Sequence, residues 1–221
     1  MKLAYKNIGH LIRFGEGYVN ELIIENKKLF FDIVNNATVQ ADGLHGEWML
    51  SISDTPVEFS RYADITTQFA PFQLNRKSLT TKLCASLERN AMQPESYVKT
   101  NELLCKLEEY VHTLADDLPF DIDCKKLAVG QIIRALAPEI DENSKSPLEQ
   151  IFSYMEAVRG LDRDKLFIMI NMRTYFADPE MEFFAQSACL HDFKVLLLES
   201  TSFSRLNNCK RFTVDEDLCE F

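Results

Sequence analysis

Lys165-Leu166-Phe167-Ile168-Met169-Ile170-Asn171, then Asp178-Pro179-Glu180-Met181, then Phe193-Lys194-Val195-Leu196-Leu197-Leu198-Glu199 form the stretch whose reading decides the fold. The outer pieces are short, nearly continuous apolar runs. Their apolar residues do not alternate, so both faces of each strand should lie under other layers. The middle piece opens a helix, with Asp178 as N-cap and Pro179 at the first helical position, where its missing N–H is not needed. Strand, helix, strand reads as a βαβ unit. That predicts an α/β fold with a mostly parallel sheet.

Working outward, residues 3–8 allow a short strand with Leu3 and Tyr5 on one side, and Gly15 and Gly17 bracket a turn. Leu22-Ile23-Ile24 lies in a buried strand, 19–25. Lys27-Lys28 then opens a helix with Leu29, Phe30, Ile33 and Val34 on one face. Trp48 to Ile52 reads as another strand, ended by Asp54 and Pro56. Residues 57–75 give no clear pattern. Leu79, Leu83 and Leu87, spaced four apart, predict a helix that stops by Pro94. The tail, 210–214, adds a last strand.

Between these pieces the pattern is helical. Leu103, Leu104, Leu107, Tyr110, Val111 and Leu114 keep the spacing of one helix face. Leu127, Ile132, Ile133 and Leu136 mark a second helix, ended by Pro138. Ser146-Pro147-Leu148-Glu149 is a capping box with proline at the first position, and Ile151, Phe152, Met155 and Val158 continue the third helix's face. Three helices with no strand between them predict a helical leg subdomain, 96–163, inserted into an α/β head, 1–95 and 164–221.

The chain has 221 residues, enough for a full core with a smaller subdomain. Its net charge of −10 argues against nucleic-acid binding through bulk charge, though not against a local basic surface. Cys84, Cys105, Cys124, Cys189, Cys209 and Cys219 form no Cys-x-x-Cys pair and no zinc spacing, so reduced thiols are expected. No run approaches the ~18 apolar residues of a membrane span, and Met1 to Lys6 does not open a secretory leader. These features predict a cytoplasmic protein without a membrane partner.

Catalytic signatures are missing. A phosphate loop needs glycines that bring backbone N–H groups to the phosphate, with a lysine and a hydroxyl beside them. Here no glycine precedes a lysine, and the strand 19–25 runs straight into Asn26-Lys27-Lys28. The strand 165–170 ends in neutral Asn171, where a nucleotide hydrolase wants a magnesium-binding acid. There is no nucleophile elbow and no metalloprotease helix. His191 precedes a buried strand and reads as structural. These absences predict a head resembling a degenerate nucleotide hydrolase that is not an enzyme and takes no nucleotide.

Two charge features remain. Asp116, Asp117, Asp121 and Asp123 crowd into eight residues at a helix-to-helix turn. Hard cations such as calcium take several oxygen ligands from such turns. A solvated acidic turn, with Asp123 capping the next helix, is the alternative. The basic residues fall in small groups: Lys27 and Lys28; Arg76, Lys77 and Lys82; Lys125, Lys126 and Arg134; Arg159, Arg163 and Lys165. Each is a solvated face unless an oligomer gathers them by symmetry into a DNA path.

The pattern resembles the type II-A CRISPR-associated spacer-acquisition family, whose members are ring-shaped tetramers that bind DNA ends. Residues 165–171, Thr174-Tyr175-Phe176, Asp178-Pro179-Glu180 and 195–199 carry the resemblance, in the family's order. Pro71-Phe72-Gln73-Leu74-Asn75 and Ser146-Pro147-Leu148-Glu149-Gln150-Ile151-Phe152 add to it. The resemblance implies an α/β head related to P-loop nucleotide hydrolases but without the phosphate loop, a helical leg, and a homotetrameric ring around double-stranded DNA. It also implies calcium on acidic residues of the leg, and work with an integrase complex and an effector nuclease. By position, Asp116, Asp117, Asp121 and Asp123 are the expected metal ligands. Lys27, Lys28, Lys77, Lys125, Lys126 and Arg134 are the expected DNA contacts. The competing expectations are a pseudo-enzyme that binds another protein and not DNA, and a nucleotide hydrolase with an unusual site.

Overall fold

The runs 166–170 and 195–198 are too apolar to face water on either side. The computed structural model describes residues 1–15, 17–142, 146–162 and 165–221. In chain order the elements are β1 (Lys2–Tyr5), β2 (Ile12–Arg13), β3 (Val19–Ile24), α1 (Lys27–Ala41), β4 (Trp48–Ile52), β5 (Thr55–Val57), α2 (Phe59–Tyr62), β6 (Ala63–Thr66), α3 (Lys77–Ala91), α4 (Pro94–Leu114), α5 (Val129–Leu136), α6 (Pro147–Leu161), β7 (Leu166–Ile170), a 3-10 turn (Met172–Thr174), α7 (Asp178–Leu190), β8 (Lys194–Glu199) and β9 (Cys209–Val214).

β7, α7 and β8 make the βαβ unit read from the sequence. β7 and β8 pair in parallel, with Ile168 opposite Leu196. They lie inside a five-stranded sheet of order β6-β7-β8-β3-β9, in which every neighbouring pair is parallel. All five residues of β7 are buried, as a continuous apolar strand under two layers should be, and so are all six of β3 although it carries Asn20 and Glu21. A second, antiparallel sheet of order β2-β1-β4-β5 comes from the N-terminal strands. β1 and β4, both expected as strands, thus leave the parallel sheet.

One core lies between the two sheets. Leu22, Ile24, Ile168, Leu196 and Leu198 pack there with Ile33 and Ala37 of α1 and with Leu3, Tyr5, Trp48 and Leu50 of the antiparallel sheet. The Trp48 ring N–H donates to the carbonyl of Ile33 at 3.2 Å. Strand alternation sends Glu21, Leu197 and Glu199 to the opposite face. Met181, Phe184, Ala185 and Ala188 of α7 are buried as well, and Phe152 of α6 meets Phe184 at 5.2 Å.

The chain divides into two compact units, Met1–Gln73 with Ser144–Phe221, and Leu74–Asn143. The expected division was 1–95 and 164–221 against 96–163. α3 therefore belongs with the helical unit, where it packs on α5, and α6 belongs with the sheet. Leu148, Ile151, Met155 and Val158 of α6 are buried, and the Tyr154 hydroxyl donates to Asp64 at 2.8 Å. Periodicity shows that a helix has an apolar face, but not which core receives it. The expected boundary at 163/164, and Arg163, lie outside the described residues.

Three local readings need adjustment. α7 begins at Asp178 with Ala177 as its cap, one residue earlier than expected, because the Asp178 carboxylate is held by Arg173. Glu180 accepts from the Ala177 N–H at 2.9 Å instead. The Leu79, Leu83 and Leu87 helix stops by Pro94 as expected, but Pro94 also opens the next helix, four residues earlier than Val98. The expected buried stripe of α4 is largely open, with Leu103, Tyr110, Val111 and Leu114 all exposed.

Candidate functional site

The turn from β3 into α1 has no phosphate loop. Where a phosphate loop would turn from β3 into α1, the chain passes through Glu25 and Asn26 alone. Asn26 Oδ1 accepts the Leu29 N–H at 3.0 Å, and its Nδ2 donates to the Glu216 carbonyl at 2.9 Å. The helix N-terminus is thus capped by its own chain, with no cradle of N–H groups for an anion. At the end of β7, Asn171 adopts a left-handed conformation with φ of 54°. It accepts the Ser200 N–H at 2.9 Å and donates its own N–H to the Leu198 carbonyl. A neutral side chain stitches the strand ends together there.

The basic residues divide between the units. Lys27 and Lys28 begin α1 and are exposed. Lys77, Lys125, Lys126 and Arg134 are exposed on the helical unit. Two of these are brought together: Lys77 of α3 and Arg134 of α5 line one cavity of about 520 Å³, with Thr80, Thr81 and Cys84. Helix packing sets this meeting. A Cβ on Gly130 would fall 2.5 Å from the Glu88 carboxyl group, so glycine admits Glu88 against α5. One turn on, Arg134 Nη2 pairs with Glu88 Oε2 at 3.2 Å. Asn75 closes the unit by exchanging two hydrogen bonds with the backbone of Ile140, at 2.8 and 2.9 Å. Lys125 and Lys126 instead border an apolar groove of about 450 Å³ with Leu104, Leu107, Tyr110 and Leu127.

Arg159 and Lys165 are used structurally. Arg159 lies 4.3 Å over the Phe193 ring and donates to the His191 carbonyl. Lys165 pairs with Asp162 at 3.1 Å and donates to the Arg61 carbonyl. His191 stacks on Phe193 at 5.8 Å, a packing role.

Asp116, Asp117, Asp121 and Asp123 are all exposed in the irregular segment between α4 and α5. Among the described residues, no three acidic, thiol or imidazole groups gather into a cation cage. The turn offers oxygen ligands in number but not a preformed shell, and a cation would require it to close.

A buried polar cluster lies elsewhere, between the middle of β3 and β9 and the ends of β7 and β8. Glu21 of β3 is fully buried and pairs with two arginines: Arg173 Nη1 at 2.7 Å and Arg211 Nε at 2.6 Å. Arg173 Nη2 reaches Asp178 at 3.0 Å. Ser204's hydroxyl and Arg173 hold the Asp178 carboxyl below the usual range. Glu199, at the end of β8, accepts the Arg173 backbone N–H at 3.1 Å. Burial pushes its carboxyl up to about 8, with the Glu21 charge adding to the effect. None of these five residues stands out in the sequence as part of a charge cluster. The available signal was a glutamate inside each of two apolar strand runs, since a buried carboxylate needs a partner somewhere in the fold.

These features define a class: an α/β protein with a five-stranded parallel sheet, a separate helical unit and no phosphate loop. Residues 40–218 match the family model described as CRISPR-associated protein (Cas_Csn2), and the chain belongs to that CRISPR-associated family. The fold is also similar to the crystal structure of Stu0660 of Streptococcus thermophilus, with a TM-score of 0.55 and 13% sequence identity over 97% of this chain and 75% of that one. The α/β fold expected from the sequence is therefore observed, and the role is CRISPR-associated. Among the described residues no helix is long and apolar enough to cross a membrane.

Proposed function

We propose that this chain is a non-catalytic subunit of a homotetrameric ring that binds double-stranded DNA ends during type II-A spacer acquisition, beside an integrase complex and an effector nuclease. The observation that carries the DNA part is the meeting of Lys77 and Arg134 at one cavity of the helical unit. Lys77 can take a phosphate there, and Arg134 can take another by exchanging its Glu88 partner. With a net charge of −10, binding rests on such local sites and weakens steeply in salt. The open apolar stripe of α4 supports assembly, since an exposed run of this kind marks an interaction surface. Calcium belongs to the same proposal, held by a turn over 116–123 that closes on assembly.

The test compares a linear duplex with a covalently closed circle of the same sequence, in millimolar calcium, with mass measured by light scattering. A ring threads over an end, so a tetramer that binds the linear form far better is expected. A monomer that shifts neither form would sink the proposal.

The groove of about 450 Å³ beside α4 favours a second reading, a protein-binding module without DNA affinity. That reading requires that Lys77→Glu and Arg134→Glu leave every binding activity of the chain unchanged.

A further inference from the structure

The helical unit has almost no core of its own. Within Leu74–Asn143 the buried hydrophobic side chains, among the described residues, are Leu74 and Leu79, both near its start. Its apolar material faces outward in two complementary shapes. One is concave: the groove of about 450 Å³ walled by Leu104, Leu107 and Val111 of α4 and by Leu127 of the segment that follows. The other is convex: Leu118-Pro119-Phe120, in the irregular segment between α4 and α5, with Leu118 46% and Phe120 62% exposed. Exposed apolar surface of this extent marks an interaction site, and aromatic side chains are the usual anchors of such sites.

The charges match in the same sense. Asp116, Asp117, Asp121 and Asp123 are all exposed around the apolar tip at Phe120. The groove carries Lys125 and Lys126 at its rim, against one carboxylate, Glu108. An acidic turn with an apolar tip and a basic rim around an apolar groove are complementary surfaces. Both lie on one chain, yet Leu118, Pro119 and Phe120 are not among the residues that line the chain's own groove. A twofold pair uses both, because each copy offers one tip and one groove, and the two identical contacts close the pair.

We propose that the turn 116–123 of one copy docks in the α4 groove of a second copy. Phe120 enters the apolar walls, and Lys125 and Lys126 face the aspartates. Each helical unit then obtains from its partner the apolar cover that it does not supply itself. The inference rests on the self-assembly proposed above and is independent of DNA binding.

Sedimentation velocity of the full chain over a concentration series tests it, without DNA and in the millimolar calcium in which assembly is expected. Phe120→Ala removes the tip and should weaken association about tenfold or more. Lys125→Glu with Lys126→Glu should weaken it as well, although neither lysine is a candidate calcium ligand. Asp117→Lys with Asp121→Lys should do the same. All four charge substitutions in one chain should regain association that either pair alone loses, a recovery that loss of a calcium site would not give. Phe120, Asp117, Asp121, Lys125 and Lys126 are exposed, so the variants keep the fold. A wild type that stays monomeric overturns the inference together with the self-assembly it rests on. A wild type that assembles, with association unchanged by Phe120→Ala or not regained by the four charge substitutions, overturns the inference alone.

Discussion

Arg173 and Glu21 stand 152 residues apart in the chain and meet as an ion pair in which both side chains are fully buried, Nη1 to Oε1 at 2.7 Å. The pair ties the turn after β7 to the middle of β3, and Arg211 on β9 completes it from the other side. Removing Glu21 leaves two arginines without their shared counterion. Glu21→Ala is expected to lose about 3–5 kcal/mol of stability, the range for breaking one side of a buried ion pair. Urea unfolding followed by circular dichroism measures it. A loss below about 1 kcal/mol would mean that water already reaches the cluster.

Glu199 sets a pH dependence whose sign is fixed. Its carboxyl is raised from the ordinary 4.5 to about 8 by burial. Between those values the folded chain keeps a proton that the unfolded chain has lost. Stability therefore falls as pH rises through that window, by about 1.4 kcal/mol per unit at most, and levels off above it. Glu199→Gln should flatten the slope and be the more stable form at pH 8. Thermal unfolding of both proteins at pH 5, 6.5 and 8 gives the comparison; parallel profiles would count against a protonated Glu199.

Lys77 and Arg134 predict a salt signature. If each meets one phosphate, replacing either by glutamine lowers the slope of log affinity against log salt by about 0.9. Binding should weaken about equally on all duplex sequences, because phosphate contacts carry no sequence information. Fluorescence anisotropy with linear duplexes across a salt series reads both quantities. Unchanged slopes in the two variants would remove this cavity from the DNA path.

The acidic turn separates a cation site from a solvated loop. Isothermal calorimetry with calcium is expected to give a binding heat that Asp117→Asn with Asp121→Asn reduces at least tenfold in affinity, since a calcium shell depends on its charged oxygens. The same titration followed by light scattering links the ion to assembly. No heat in the wild type at millimolar calcium would assign these residues to the solvated turn.

Sequence pattern carried the fold class a long way. The non-alternating runs at 165–170 and 194–199 demand cover on both faces, and only a layered parallel sheet supplies it. The capping box at Ser146 is a local device that works as read, with Glu149 accepting the Ser146 N–H at 2.7 Å and Ser146 capping Glu149. The missing glycine loop after β3 was equally legible, because a phosphate cradle needs consecutive residues.

Partner choice across distance was not legible. The α6 face looked like leg and turned out to be head, because periodicity is blind to which core receives a face. The α4 stripe has the same spacing as a buried face, yet Tyr110 and Leu114 are exposed. Arg134 and Lys77 lie 57 positions apart, and only the packing of α5 on α3 lets them line one cavity. The sequence alone determined an α/β protein with no phosphate loop, since those features are written in local runs. The tertiary structure decided that Glu21, Arg173, Glu199 and Arg211 are one cluster. Their charges come from elements far apart in the chain, and burial makes each depend on the others.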